Sequence, residues 1–322
     1  MDNNNIIKDV NFMKTILKKP TTLHMGIGLI ISICKSLIKK QKNVVIPQKI
    51  GKYQLVSDIK KENLFREYGI GIYQYGGKKV FIKTWTGFIG DFQYYELINE
   101  YFMSRALYEE FKSHKYIKVP KIISYVNKKG SFSIIYEFVE GKNLSLFPSK
   151  KRVEVIHEVL NAFDHLSINF SKRESKCFSK RTLKFYIPSL TFLCFLTVLS
   201  NLGSFRVILY GYIDFLKSIR NIKKNNLRIA HRDLNFHNII IKGKYVFLID
   251  CARVALTYGD YDIAYLSINP KFKKISREIA RSSNYSRNLF LESYILINQA
   301  RSFSNPAGFK NIYLEELQRR YG

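Results

Sequence analysis

The side chains with the clearest chemical potential lie in two short segments of the second half of the chain. Residues 231–238 read HRDLNFHN, and residues 248–250 read LID. A carboxylate such as Asp233 can orient a hydroxyl group and accept its proton. The side-chain oxygens of Asn238 and Asp250 are hard ligands that suit Mg²⁺. These residue types are the ones that transfer of a phosphoryl group to a hydroxyl requires.

The spacing of these residues matches a known pattern. The first segment fills every fixed position of the H-R-D-L-x-x-x-N motif of protein kinases, whereas residues 250–252 keep only the acid of the D-F-G motif. The chain resembles the protein-kinase-like superfamily, and more closely its aminoglycoside phosphotransferase and choline kinase branch, with a further similarity to lipopolysaccharide kinases. Residues 259–266, GDYDIAYL, are similar to the G-D-x-x-x-D-L-A segment of that branch in shortened form. The resemblance covers residues 69–266 and implies a two-lobed, kinase-like α+β fold with a small β-rich N-lobe and a larger helical C-lobe.

The resemblance also implies a role for each matching residue. Asp233 would be the catalytic base, and Asn238 and Asp250 would bind Mg²⁺ against the phosphates of ATP. Asp262 would be structural, either accepting the free N–H groups of its own helix or bracing the catalytic segment. Asn235 departs from both groups, since Ser/Thr protein kinases usually carry Lys there and the small-molecule branch usually carries His.

A structural alternative exists for the same residues. Residues 239–249 read as two apolar strands around a turn at Gly243, so both predicted metal ligands lie at strand ends. In an ordinary polar turn before a buried hairpin, Asp233 and Asn238 would only satisfy backbone groups. We favour the chemical interpretation because the octet matches its motif at every fixed position.

A nucleotide-binding lobe is predicted upstream. Residues 69–85 read as strand, tight turn and strand, and the VFIK run in the second strand resembles the one whose lysine, here Lys83, contacts the α- and β-phosphates. The following helix, predicted over residues 94–111, carries Glu96 and Glu100 on one face because they are four residues apart. We choose Glu100 as the partner of Lys83, and we expect at least one of the two acids to be an exposed helix charge.

The remaining nucleotide contacts rest on shorter patterns. Gly69 and Gly71 lie where a phosphate-covering loop is expected, but the G-x-G-x-x-G pattern is incomplete, and a simple bend is the alternative. Residues 133–144 resemble the hinge of the small-molecule kinases. That resemblance implies adenine contacts from backbone groups near Glu137 and Phe138.

Length and composition fit one two-lobed enzyme with additions. At 322 residues, with 46% hydrophobic and 24% charged residues, the chain can bury a sizeable core. We predict an N-terminal helical extension over residues 1–50, an N-lobe over 51–140 and a C-lobe over 141–322 with an apolar insert near 181–217. The cysteines are scattered and form no C-x-x-C pair, which indicates a reducing compartment and no cysteine metal site.

The apolar insert raises the question of a membrane. Residues 185–204 contain no charged side chain, and their length approaches that of a membrane span. Because Pro188, Asn201 and Gly203 would shorten the helix, we favour buried helices of the C-lobe, with a membrane-contacting element as the alternative.

The charge of the chain bears on the same question. Lys and Arg number 53 against 25 acids, a net charge of +28. Such a field attracts polyanions, so an anionic membrane surface is an expected partner, with a merely solvated basic surface as the alternative. Nucleic acid is not expected, because no recognition motif is visible. We expect a cytoplasmic protein with peripheral contact to the inner face of the membrane.

These observations predict an ATP- and Mg²⁺-dependent phosphotransferase that moves the γ-phosphate to a hydroxyl of a small molecule, a sugar or a lipid-linked sugar. One alternative is a nucleotide-binding pseudokinase that acts as a scaffold, and the intact Lys83, Asp233, Asn238 and Asp250 argue against it. The other alternative is a protein Ser/Thr kinase. The short segment after Asp250 argues against that alternative, because it has no room for a phosphorylatable activation loop.

Overall fold

The protein folds into two compact units. The computed structural model describes residues 19–21, 24–28, 31, 46–59, 68–87, 91–169, 178–222, 227–259, 261–268, 272, 277–279, 288–300 and 312–322. The first unit is formed by the described parts of Met1–Glu62, Arg66–Arg105 and Lys121–Phe138, and the second by the described parts of Ala106–Pro120 and Val139–Gly322. Ala106–Pro120 thus belongs to the second unit, although it precedes residue 140. Most of the extension predicted over residues 1–50 lies outside the described residues.

The described residues contain strands in both units and α-helices mainly in the second. The strands are β1 (Lys49–Ile50), β2 (Tyr53–Asp58), β3 (Gly69–Tyr75), β4 (Lys78–Thr86), β5 (Ile117–Lys118), β6 (Ile122–Lys128), β7 (Ser131–Glu137), β8 (Lys142–Asn143), β9 (Leu227–Ala230), β10 (Ile239–Lys242), β11 (Tyr245–Leu248) and β12 (Ala255–Tyr258). The helices are α1 (Phe92–Phe111), α2 (Ser149–Asn169), α3 (Leu183–Ser200), α4 (Phe205–Ser218), α5 (Tyr261–Ile268), α6 (Leu289–Gln299) and α7 (Ile312–Tyr321). This mixture confirms the predicted α+β class.

The first unit is built on an antiparallel sheet in the order β1-β2-β3-β4-β7-β6. Gly76 and Gly77 form the predicted tight turn between β3 and β4, and their φ angles of 56° and 76° are those that a two-residue hairpin turn needs. Side chains alternate along β4, so that Ile82 packs on one face of the sheet and Trp85 on the other, against α1. Lys83 shares the face of Trp85, which directs it towards that helix.

The second unit contains the predicted hairpin. β10 and β11 form an antiparallel hairpin whose turn contains Gly243. β8 pairs with the outer edge of β10, and β5 pairs with the outer edge of β11. Gly141 lies just before β8, where a Cβ atom would come within 2.6 Å of the carbonyl oxygen of Ile241. This close approach explains why the hinge-like pattern has a glycine at that position.

The apolar insert forms α3 and α4, and only one face of each helix is covered. Tyr186 of α3 and Phe215 of α4 are fully buried, with ring centroids 4.6 Å from Tyr294 and Phe290 respectively, both on α6. The expectation of buried helices therefore holds for this face, whereas other large apolar side chains of the insert are exposed. Of the residues expected to shorten α3, Asn201 does end it, but Pro188 lies inside the helix.

Helix length bears on the membrane question. Among the residues that the structure describes, no single helix is both long and apolar enough to cross a bilayer. The segments Leu183–Leu199 and Leu202–Ser218 meet that requirement only as a pair, and they are bent by 117° at the break between them.

A buried ion-pair network fixes α7 to α6. Arg320 donates to Glu292 Oε2 at 2.8 Å and to Glu316 Oε1 at 3.0 Å, and Glu292 is only 2% exposed. Hydrogen bonds from Arg319 and Arg320 lower the pKa of Glu316 to about 2. Since a buried carboxylate is stable only while it is paired, the position of α7 depends on Arg320.

We expect Arg320→Ala to lower the free energy of unfolding by about 3–5 kcal/mol, because it removes the positively charged partner of a buried carboxylate, Glu292. Urea unfolding followed by circular dichroism would measure the loss. Arg319→Ala is the matched control, since its side chain is 59% exposed, and it should cost about 0–1 kcal/mol. Equal effects of the two substitutions would contradict the role given to Arg320.

Candidate active site

Lys83 and Glu100 form a buried ion pair in the first unit. Lys83 Nζ lies 2.7 Å from Glu100 Oε2, and the two residues are 6% and 3% exposed. Tyr136 donates its hydroxyl hydrogen to the other oxygen, Glu100 Oε1, at 2.9 Å. Both carboxylate oxygens are therefore occupied, which fixes the position of the Lys83 ammonium group.

The expectation of an exposed acid on this helix face is wrong. Glu96 is also buried, at 5% exposure, and it accepts a hydrogen bond from the Tyr68 hydroxyl at 2.8 Å. The Tyr68 ring in turn lies 4.5 Å from Lys83 Nζ. Residues four apart share one helix face, and here that whole face is covered, so neither acid reaches solvent freely.

The two candidate glycines lie inside a strand. Gly69 and Gly71 belong to β3, and they pair with Thr84 and Ile82 of β4. A Cβ atom at Gly71 would approach Leu55 Cδ1 to 2.7 Å and the Ser57 carbonyl oxygen to 3.3 Å. Close packing against β2 therefore explains Gly71, and the phosphate-covering role of both glycines stays a prediction.

Hydrogen bonds at the end of β7 limit the backbone groups that could make the predicted adenine contacts. The Glu137 N–H donates to the Lys121 carbonyl at 2.9 Å, and Glu137 Oε1 accepts from the Lys121 N–H at 2.9 Å. Of its two backbone groups, Glu137 can therefore offer a base only its carbonyl oxygen. Phe138, which follows the strand, stays a predicted contact, and the nearby Lys79 ammonium lies 6.0 Å from its ring.

Asp233 in the second unit is held by several side-chain donors. Asn238 Nδ2 lies 2.9 Å from the backbone carbonyl oxygen of Asp233 and 3.3 Å from Asp233 Oδ2. Asn235 Nδ2 lies 3.3 Å from Oδ1, and the Tyr265 hydroxyl donates to the same oxygen at 2.9 Å. These donors fix the orientation of the Asp233 carboxylate.

The backbone before Asp233 is braced by Asp262. The Arg232 N–H donates to Asp262 Oδ1 at 2.7 Å, and the His231 N–H donates to Oδ2 at 2.8 Å. Among the described residues other than glycine, only Arg232 and Asp250 have positive φ angles, 65° and 58°. Such angles cost about 1–3 kcal/mol and persist where surrounding bonds enforce them. Of the two structural roles predicted for Asp262, the observed contacts are those of the brace.

The two predicted metal ligands lie at the ends of the hairpin. The Ile249 N–H donates to the Asn238 carbonyl at 3.0 Å, and the Ile249 carbonyl lies 3.2 Å from His231 Nε2. These contacts hold the residue before Asp250 against the segment that carries Asn238. Because Asn238 directs Nδ2 towards Asp233, its Oδ1 faces the other way and can accept a cation.

The donor set fits Mg²⁺. Within the described ranges there is no group of three or more His, Cys, Asp or Glu side chains that could hold a metal by itself. Mg²⁺ in phosphotransferases is usually held by one or two carboxylates together with phosphate oxygens, so Asn238 and Asp250 are a suitable pair.

Two tyrosines near Asp233 were missed by the sequence analysis. Burial, followed by the nearby Asp233 carboxylate, raises the pKa of Tyr265 well above its usual value, so that its hydroxyl stays protonated and donates. Tyr313 of α7 shares a hydrogen bond with Tyr265. Tyr265 has a signal in the sequence, because it lies three residues after Asp262 and therefore on the same face of α5. No sequence signal points to Tyr313, since it is remote in sequence from Asp233 and Asp262.

Burial raises the pKa of Asp262, and its two N–H partners keep it effective as an acceptor. We expect Asp262→Asn to lower the free energy of unfolding by about 1–3 kcal/mol, because an amide has one acceptor oxygen for two buried N–H groups. Hydrogen exchange at the amides of His231 and Arg232 should become faster. Asp164→Asn is the control, since Asp164 is 64% exposed. No change in exchange at either amide would contradict the brace.

Comparison with solved structures identifies the fold. A thermostable mutant of aminoglycoside phosphotransferase APH(4)-Ia has a TM-score of 0.66 with this chain at 12% identity, covering 83% of this chain and 94% of that one. Mutants of the same enzyme were solved in ternary complexes with ADP and hygromycin B and with AMP-PNP and hygromycin B. A GDP complex of an aminoglycoside 2′-phosphotransferase-IIIa mutant scores 0.54 at 13% identity and covers 90% of both chains. No family model matches the sequence, and no curated protein matches it.

These comparisons confirm the resemblance at the level of the fold. The similarity to lipopolysaccharide kinases stays a prediction. The chain has the protein-kinase-like fold of the aminoglycoside phosphotransferases.

Proposed function

We propose that the protein transfers the γ-phosphate of ATP to a hydroxyl group of a small molecule in a Mg²⁺-dependent reaction. The observation that carries this proposal is the Asp233 carboxylate, which Tyr265 and two amides orient on a segment whose backbone is braced by Asp262. A carboxylate fixed in direction is what a catalytic base needs.

Each unit supplies a part of the chemistry. The Lys83 ammonium, fixed by Glu100, would hold nucleotide phosphates in the first unit. In the second unit, Asn238 and Asp250 would hold Mg²⁺, which when bound neutralises charge on those phosphates. Nucleotide complexes of proteins with this fold contain ADP, AMP-PNP or GDP, which supports nucleotide binding and leaves both ATP and GTP as donors to test.

Asp233 would act on the acceptor. Its carboxylate accepts the proton of the acceptor hydroxyl, while the hydroxyl oxygen forms a bond to the γ-phosphorus. The bond from that phosphorus to the bridging oxygen breaks, and the nucleoside diphosphate leaves.

The charge of the chain bears on the class of acceptor. Hygromycin B, an aminoglycoside, accompanies nucleotides in two of the compared structures. This chain carries a net charge of +28, which would repel a polycationic acceptor. We therefore propose a neutral or anionic hydroxyl compound, such as a sugar, a phosphorylated sugar or a lipid-linked sugar.

The segment after Asp250 argues against a protein substrate. Cys251–Arg253 form a single helical turn, and Ala255–Tyr258 form β12, which pairs with β9. The residues that carry a phosphorylatable loop in protein kinases are thus already committed to regular structure.

We expect Asp233→Asn to lower the turnover number by about 10²–10⁴, because it removes the base and keeps the shape of the side chain. Nucleotide affinity, measured by calorimetry, should stay within about threefold, because Asp233 acts on the acceptor. Transfer from γ-labelled ATP into fractionated cell extract, with and without membranes, would report activity. Exposed Asp164→Asn is the control. Full activity of the Asp233 variant would refute its role as base.

Tyr265 positions the Asp233 carboxylate, and the substitution Tyr265→Phe tests this role. Loss of a hydrogen bond to a charged group, worth about 1.5–3 kcal/mol, should lower the turnover number by about 10- to 100-fold. The KM for ATP should not change, since the hydrogen-bond partners of Tyr265 are Asp233 and Tyr313, and neither is assigned to the nucleotide. Tyr258→Phe removes a hydroxyl that accepts from the Leu183 N–H, away from Asp233, and serves as the control. Equal losses in the two variants would indicate a merely structural role.

A further inference from the structure

The outer faces of α3 and α4 carry large apolar side chains that nothing in the described structure covers. On α3, Phe192, Phe195 and Leu199 are spaced by three and four residues and therefore lie on one face. The turn and α4 continue this surface with Leu202, Phe205 and Leu209. These six residues, named here the apolar apex, are 37% to 67% exposed.

The residues of the apolar apex are separate from the buried apolar residues of the same two helices. Tyr186 and Leu190 are buried on the opposite face of α3, and Ile208 and Phe215 of α4 are buried as well. A helix on the surface of a soluble protein normally has a polar outer face, whereas α3 is apolar on both faces, and the exposed side of α4 carries Phe205 and Leu209 beside basic residues. The Thr191 and Tyr212 hydroxyls lie 2.7 Å apart and join the helices, so that the two exposed faces belong to one surface. Contiguous exposed apolar surface of this kind marks an interaction site.

The charges around the apex indicate the partner. Between residues 178 and 222 the chain has one acid, Asp214, and that acid hydrogen-bonds Tyr321. Exposed basic side chains lie on the same two helices: Arg206 next to Phe205, Lys184 in the first turn of α3, Lys217 in the last turn of α4 and Arg220 just after it. Apolar surface with basic neighbours matches a bilayer, in which acyl chains lie beneath anionic headgroups.

We propose that the apolar apex docks the protein peripherally on an anionic lipid bilayer. The aromatic and leucine side chains enter the headgroup–acyl boundary, and the four basic residues contact lipid phosphates. A second copy of the chain is a poorer occupant, because two molecules of net charge +28 repel each other. The proposal does not depend on the proposed phosphotransferase activity, and its test uses a binding readout.

The test is sedimentation of the full-length protein with lipid vesicles. Binding to vesicles of phosphatidylcholine with phosphatidylglycerol should exceed binding to phosphatidylcholine alone, and should fall as salt screens the charges. The triple variant Phe195→Ser, Leu199→Ser and Leu202→Ser should weaken binding by about tenfold or more, because each exposed side chain loses its insertion energy. Its thermal unfolding should match that of the unmodified protein, since all three side chains are exposed.

Two further variants sharpen the result. Leu146→Ser with Ile168→Ser removes equally exposed apolar side chains elsewhere in the second unit and should leave vesicle binding unchanged. Replacement of Lys184, Arg206 and Lys217 with Gln should reduce binding to the anionic vesicles and abolish most of its salt dependence.

Several outcomes would overturn the proposal. Equal binding to neutral and anionic vesicles, binding to neither, or unchanged binding of the triple variant would each refute it. Association that resists high salt and is released only by detergent would instead indicate a span. A dimer that the triple variant converts to a monomer, without vesicle binding, would identify a second copy as the occupant.

Discussion

Two hydrogen bonds from consecutive backbone N–H groups to one carboxylate shape the catalytic segment. Asp262 accepts from His231 and Arg232, and Arg232 is thereby held at a φ angle that residues other than glycine rarely adopt. Asp233 follows directly, so the direction of its side chain depends on this brace. The same face of α5 contributes Tyr265, and one short helix therefore both shapes the segment and orients its acid.

The carboxylates of the site share a mode of stabilisation. Tyr136 donates to Glu100, Tyr68 to Glu96 and Tyr265 to Asp233. A tyrosine hydroxyl satisfies a buried oxygen without neutralising its charge, unlike an arginine or lysine. In a chain with 53 basic residues and 22 tyrosines, tyrosine hydroxyls orient Glu96 and Asp233, while the Lys83–Glu100 ion pair fixes an ammonium group.

The sequence predicted the parts of the site that are local in the chain. The β10–β11 hairpin follows from its turn residues, which a short segment determines by itself. Helical spacing placed Glu96 and Glu100 on one face, and the choice of Glu100 as the partner of Lys83 came from the family resemblance. The burial of Glu96 and the role of Tyr313 depend on residues that only the folded chain brings together. The prediction that Pro188 shortens α3 was wrong for a related reason. Tertiary packing stabilises α3 although it contains a residue that disfavours helix in isolation.

Strand β12 has a consequence for regulation. In many kinases the stretch after the metal-binding acid is a loop that is ordered only after modification, and it acts as a switch. Here that stretch is a helical turn and a paired strand. A covalent modification at Ala255–Tyr258 would therefore have to break the β9–β12 pairing, instead of ordering a loop.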